Sequence, residues 1–124
     1  EARALLPDKI KLSSAITQWA NVGSLVHGLH ISDYELIKES LSDVVVEPYR
    51  RELIPHFDKL KAAVLEAGAL GCAISGSGPS IFALSKGEKT AKIVEQAMND
   101  VYSESGIPFE TYVSKINQEG IKIL

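Results

Sequence analysis

The fold class this sequence predicts is α+β: an antiparallel sheet with helices packed on one face, in a ferredoxin-like layering. Three observations carry that expectation. Apolar residues recur at helical steps through the first half of the chain and again from Ile93 to Tyr102. Two short apolar runs stand on either side of Gly76-Ser77-Gly78-Pro79, which punctuates them as strands. The closing residues alternate with a period of two. The expected order is therefore helices, two strands, a helix and two more strands.

Leu12, Ala15, Ile16, Trp19, Val22, Val26 and Leu29 fall at three- and four-residue steps, which sets them on one face of a long helix. Gly23 and Gly28 weaken that helix locally. The stripe is expected to face the core, and Trp19 with it. A second helix is expected from Ser32 to about Ser42, because Ser32 and Glu35 stand at the spacing of a capping box, which satisfies two exposed backbone donors. Val44 to Val46 is a short apolar run. Pro48 and Pro55 bracket a segment that cannot hold one uninterrupted element, so it reads as a shaped loop or short turn. Phe57, Leu60, Val64 and Leu65 mark a third helix, which Gly68 ends in the left-handed position.

Cys72 to Ser75 and Ser80 to Ser85 read as the first strand pair, with Cys72 a small packed strand residue. Ile93, Val94, Ala97, Met98, Val101 and Tyr102 make a helical stripe across Glu88 to Ser103, closed by Gly106 and Pro108. Phe109 to Ile116 and Gly120 to Leu124, joined by Asn117-Gln118-Glu119-Gly120, predict a closing hairpin. There is no internal repeat and no low-complexity segment.

A length of 124 residues buries one core and falls short of two ordinary domains. With 45% apolar and 23% charged residues the composition is that of a soluble globular protein. A net charge of -3, with basic residues never more than two in a row, gives no electrostatic footprint for nucleic acid or an anionic membrane. Cys72 is the single cysteine, and His27, His30 and His56 lack metal-ligand spacing, so no metal site is expected and a reducing cytoplasm fits. No apolar run approaches the roughly 20 residues of a membrane span, and the first residues lack the pattern of a signal peptide. The chain opens at Glu1 in mid-pattern, which reads as a fragment or an excised domain.

Gly76-Ser77-Gly78 offers backbone amides that side chains do not obstruct, and two or three N–H groups can then converge on one anion such as phosphate. The alternative is a tight turn between two strands, stiffened by Pro79. The run is not a Walker A motif, since no Lys-Ser or Lys-Thr follows the glycines and a strand follows where that motif has a helix. Asn21, a polar residue amid an apolar stripe, reads either as a contact near a pocket or as an ordinary satisfied hydrogen bond.

Four stretches resemble the homoserine kinases of the galactokinase, homoserine kinase, mevalonate kinase and phosphomevalonate kinase superfamily. They are Glu1-Ala2-Arg3-Ala4-Leu5-Leu6-Pro7, Gln18-Trp19-Ala20-Asn21-Val22, Glu47-Pro48-Tyr49-Arg50, and the run from Gly68 through Gly71-Cys72-Ala73-Ile74-Ser75-Gly76-Ser77-Gly78-Pro79-Ser80. The last of them matches the family's third motif. The resemblance implies the C-terminal domain of a small-molecule kinase, spanning residues 1–124, with the N-terminal ATP-binding domain lying outside this chain.

It implies further that Ser75, Gly76, Ser77 and Gly78 face the ATP-phosphate loop of that N-terminal domain, and that Arg3 and Arg50 hold the substrate carboxylate. Each guanidinium would grip it by two parallel hydrogen bonds. Arg51 would point elsewhere. The implied cofactors are ATP and Mg²⁺, held mainly by the N-terminal domain, so the fragment alone is expected to be inactive and to contain no catalytic residue. The implied partners are L-homoserine and the protein's own N-terminal domain, with a homodimer allowed for. Two other readings stand beside this one: a non-catalytic α+β module for amino-acid sensing or assembly, and a kinase of the same superfamily acting on another small alcohol such as mevalonate.

Overall fold

Helical periodicity fills the first half of the chain, and the computed structural model, which describes residues 4–121, forms helices there and a hairpin sheet after them. The order among the described residues is α1 (Leu12–Ile31), α2 (Tyr34–Ser40), α3 (Glu47–Arg50) running into a 3-10 turn (Arg51–Leu53), α4 (Phe57–Glu66), β1 (Gly71–Ile74), β2 (Ile81–Leu84) and α5 (Gly87–Ser103). The α+β class stands, with helices packed against a small two-stranded antiparallel sheet.

α1 runs through Gly23 and Gly28 unbroken and ends where Ser32 turns left-handed at φ 58°. Ser32 therefore cannot also adopt the extended backbone of an N-cap. Asp33 takes that place, its Oδ1 accepting from the Leu36 N–H at 3.0 Å, so the N-cap moves by one residue and, with Leu36 at the third helical position, the reciprocal half of the expected capping box is lost. Gly28 is required by packing: a Cβ there would stand 3.1 Å from Ile37 Cγ1 and 3.2 Å from the Ile37 nitrogen, because α2 folds back tightly on α1.

The stripe on α1 does not face the core. Leu12, Ile16, Trp19, Val22, Val26 and Leu29 are all exposed, Trp19 at 66%, while Ala15 and Gly28 are buried and Gln18, Asn21, Ser24 and Leu25 are half-buried. The helix thus turns small and polar residues inward and apolar residues outward. The sequence pattern locates an apolar face, and among the described residues nothing covers it.

The core lies instead between α4, α5 and one face of the sheet. Leu60 and Val64 from α4, Cys72 from β1, and Val94 and Val101 from α5 form one buried cluster, with Ile81, Ala83, Met98 and Tyr102 packed around it. Each such side chain contributes roughly 1.5–3 kcal/mol through removal from water. The register Cys72↔Ala83 and Ile74↔Ile81 sends these residues to the helix-covered face. At its end α4 closes as expected, with Gly68 at φ 102° and the Ala69 N–H donating to the Val64 carbonyl at 2.9 Å. On the opposite face of the sheet Leu41 lies over Gly71, where a Cβ would meet it at 2.8 Å.

The closing hairpin is not formed among the described residues. Residues 104–121 carry no strand, and Lys122 to Leu124 lie outside the described residues. The segment lies along α5: the Phe109 ring is 5.6 Å from that of Tyr102, and the Thr111 hydroxyl sits between Glu95 Oε1 at 3.1 Å and Asn99 Oδ1 at 3.2 Å. A period of two fixes which side chains share a face, but it does not supply a strand edge to pair with. Among the described residues no helix is long and apolar enough to cross a membrane.

Candidate functional site

The glycine loop is a hairpin turn whose hydrogen bonds can be followed one by one. The Ser75 N–H donates to the Ser80 carbonyl at 2.8 Å, and the Gly78 N–H donates to the Ser75 carbonyl at 3.1 Å. Gly76 and Gly78 take φ values of 60° and 78°, in the left-handed region that excludes most side chains, and the Gly78-Pro79 peptide is cis. Two of the loop's amides are thus committed to the turn. The amides of Gly76 and Ser77 find no acceptor among these backbone bonds. The loop is thus the tight turn between two strands, with those two amides uncommitted to it.

Arg50, the last residue of α3, reaches this loop. Its Nη1 donates to the Gly76 carbonyl at 2.9 Å across 26 residues of sequence. That contact brings a positive charge and the loop amides into one place. The short helix is held on both sides. Asp43 Oδ1 accepts from the N–H groups of Val45 and Val46 at 2.8 and 2.7 Å, which shapes the entry to α3. Gln18 Oε1, on α1, accepts from the Val44 N–H at 2.9 Å. Glu47 pairs with Lys61 of α4 at 2.5 Å, with both side chains mostly buried. Ile54 supports the loop from below, 3.3 Å from where a Gly78 Cβ would stand.

Polar groups at this site are not all satisfied. Arg50 Nε and Glu47 Oε2 are buried without a partner among the described residues. A buried unpaired donor costs about 1–3 kcal/mol.

The sequence-predicted residues divide clearly. Arg50, Ser75, Gly76, Ser77 and Gly78 are brought together, whereas Arg3 lies outside the described residues. Arg51 turns away and pairs with Asp58 at 3.4 Å on the surface, an interaction of about 0–1 kcal/mol. Asn21 donates to the Ser42 carbonyl at 3.0 Å, the ordinary structural reading, and so ties α1 to the loop after α2. Cys72 is buried, and that burial pushes its thiol up to about 11, which keeps it protonated and packed. The Glu47–Lys61 pair and Ile54 were not singled out from the sequence. Glu47 sits inside the same four-residue stretch as Arg50, but nothing in the spacing points to Lys61 or Ile54.

Fold and site together give an α+β domain in which one hairpin turn is clasped by an arginine from a short helix. A family model described as GHMP kinases C terminal matches residues 25–104. The chain belongs to that family.

It is 48% identical over 125 residues to a homoserine kinase of Chlorobaculum tepidum, covering 99% of this chain and 39% of that protein. A homoserine kinase of Chlorobium phaeovibrioides is 50% identical over 125 residues, with the same shares covered. Among solved structures, the crystal structure of homoserine kinase from Cytophaga hutchinsonii matches with a TM-score of 0.93 and 53% identity, over 96% of this chain and 38% of that one. The chain thus spans about two fifths of the length of the relatives it matches.

Proposed function

We propose that the polypeptide carrying this domain is an ATP-dependent kinase that phosphorylates the side-chain hydroxyl of L-homoserine, giving O-phospho-L-homoserine for threonine synthesis in the cytoplasm. The observation that carries the domain's own part is the 2.9 Å bond from Arg50 to the Gly76 carbonyl beside an unpaired Arg50 Nε. The sequence and fold likeness to proteins named homoserine kinase supports the choice of acceptor.

In this reading the guanidinium edge of Arg50 that faces away from Gly76 grips the homoserine carboxylate, since a planar fork matches a carboxylate in geometry as well as charge. Arg3 supplies the second grip. The Gly76 and Ser77 amides turn toward phosphate oxygens, and Ser75 and Gly78 hold the turn that aims them. ATP bound with Mg²⁺ supplies the phosphoryl group, and its charge is one that backbone donors and a cation suit. In this reading the Mg²⁺ that accompanies ATP is held mainly by the N-terminal part of the polypeptide. The Glu47–Lys61 pair fixes α3 on α4, and with it the distance from Arg50 to the loop.

The test is turnover by the longer polypeptide with ATP and, separately, L-homoserine, mevalonate and galactose. Phosphorylation of homoserine alone is expected. Turnover of mevalonate or galactose without homoserine would move the reading to another acceptor, and binding of homoserine without any ATP hydrolysis would favour a sensing module.

A further inference from the structure

We infer that Lys61 is a positioning residue that keeps the Glu47 carboxylate off Arg50, and so leaves Arg50 an unneutralised cation for an anionic ligand. The inference rests on the reading of Arg50 as a substrate contact and adds to it a residue that acts through Arg50. Glu47 and Arg50 open and close α3, three residues apart, the spacing at which acidic and basic side chains meet on a helix. Yet the two do not pair. Lys61 Nζ donates to Glu47 Oε1 at 2.5 Å across 14 residues of sequence, and Arg50 Nη1 donates to the Gly76 carbonyl at 2.9 Å across 26.

Both side chains are left with a buried atom that has no partner, an acceptor at Glu47 Oε2 and a donor at Arg50 Nε. These two complement each other on a single helical turn, and a bond between them would satisfy both. Lys61 is what draws them apart. A mostly buried carboxylate needs a cation, and Lys61, itself mostly buried on α4, supplies one from the side away from Arg50.

The neighbouring charges are matched without Arg50. Arg51 pairs with Asp58, and Asp43 Oδ1 is occupied by the amides of Val45 and Val46. Among the described residues Arg50 therefore forms no ion pair with an acidic side chain. A guanidinium bonded to a carbonyl keeps its full charge, whereas one bonded to a carboxylate is neutralised. Lys61 thus does more than brace α3. A brace is lost whenever the ion pair is lost, but the shielding of Arg50 is lost only when Glu47 is left charged and without Lys61.

That distinction sets the test, made on the longer polypeptide with Lys61→Met, Lys61→Arg and the double variant Glu47→Gln/Lys61→Met. Lys61→Met is expected to raise the homoserine KM about tenfold and leave the ATP KM within about twofold. Lys61→Arg retains a cation, and the double variant removes the carboxylate while keeping similar volume, so both are expected to recover to within about threefold. A crystal structure of Lys61→Met is expected to show the Glu47 carboxylate bonded to Arg50. A double variant as impaired as Lys61→Met would make the pair a brace alone and overturn the inference, and so would a Glu47 that stays off Arg50 in that crystal. Lys61→Gln replaces Lys61→Met in both arms if the latter does not fold. If homoserine is not turned over at all, the substrate reading falls by itself, and the crystal decides here: Glu47 on Arg50 upholds the shielding, Glu47 elsewhere overturns it.

Discussion

α1 and α5 are the two longest helices of the domain, and they solve burial in opposite ways. α5 buries Val94 and Val101 and carries Glu88, Lys89, Lys92 and Asp100 on its water side, with a Glu88–Lys92 pair at 3.0 Å. α1 carries no Asp, Glu, Lys or Arg and turns its large apolar residues outward. The difference teaches that an apolar stripe marks a helix face without fixing whether it meets the core. α5 finds its partner within these residues, on α4 and the sheet. α1 packs on α2 and the loop after it mostly through small and polar side chains, and its larger face stays exposed among the described residues.

Leu60→Ala breaks the comparison on the buried side with the largest effect. Leu60 is 1% exposed, so its truncation should cost about 2–5 kcal/mol by denaturant unfolding. Trp19→Ala in the 124-residue chain should be close to neutral by the same measurement, and equal losses would erase the contrast.

Cys72 reports the same core through its chemistry. With its thiol pushed up to about 11, reaction with a disulfide reagent at pH 8 should run on the order of a hundredfold more slowly than in the unfolded chain. The sign follows from burial favouring the protonated form: its contribution to stability is complete below the unfolded thiol's pKa and is lost as pH rises through about 11. Native reactivity matching the unfolded chain would contradict the packing.

The two glycines of α1 sharpen the contrast within one helix. Gly28→Ala pushes a methyl against Ile37 and should destabilise by about 1–3 kcal/mol. Gly23→Ala has open space and should stabilise the 124-residue chain by about 0.5–1 kcal/mol. Thermal unfolding of the two variants should therefore shift in opposite directions.

These contrasts explain what could be read from the sequence. α4, α5 and the β1–β2 hairpin were legible because Leu60, Val64, Cys72 and Val94 pack on one another, so periodicity and burial agree. For α1 the period was right and the destination was not, because a pattern names a face without naming its partner. Ser32 yielded the cap to Asp33 because the left-handed end of α1 had already claimed it. The tail from Phe109 alternates, yet it lies along α5 because alternation brings no strand edge with it. At the site, the glycines announced a turn, but no spacing rule links Arg50 to Gly76 over 26 residues or separates Arg50 from Arg51. In the fold Arg50 reaches Gly76 while Arg51 turns to Asp58, and the proposed role of Arg50 follows that choice.

That choice is what the account rests on most heavily, and paired kinetics test it most directly. In the longer polypeptide, Arg50→Ala should lower kcat/KM for L-homoserine by roughly tenfold to a hundredfold, since one charge-assisted contact is worth about 1.5–3 kcal/mol, while Arg51→Ala should leave it within about twofold. Unchanged kcat/KM in Arg50→Ala, or an equal loss in Arg51→Ala, would contradict the clasped arginine as the group that receives the substrate.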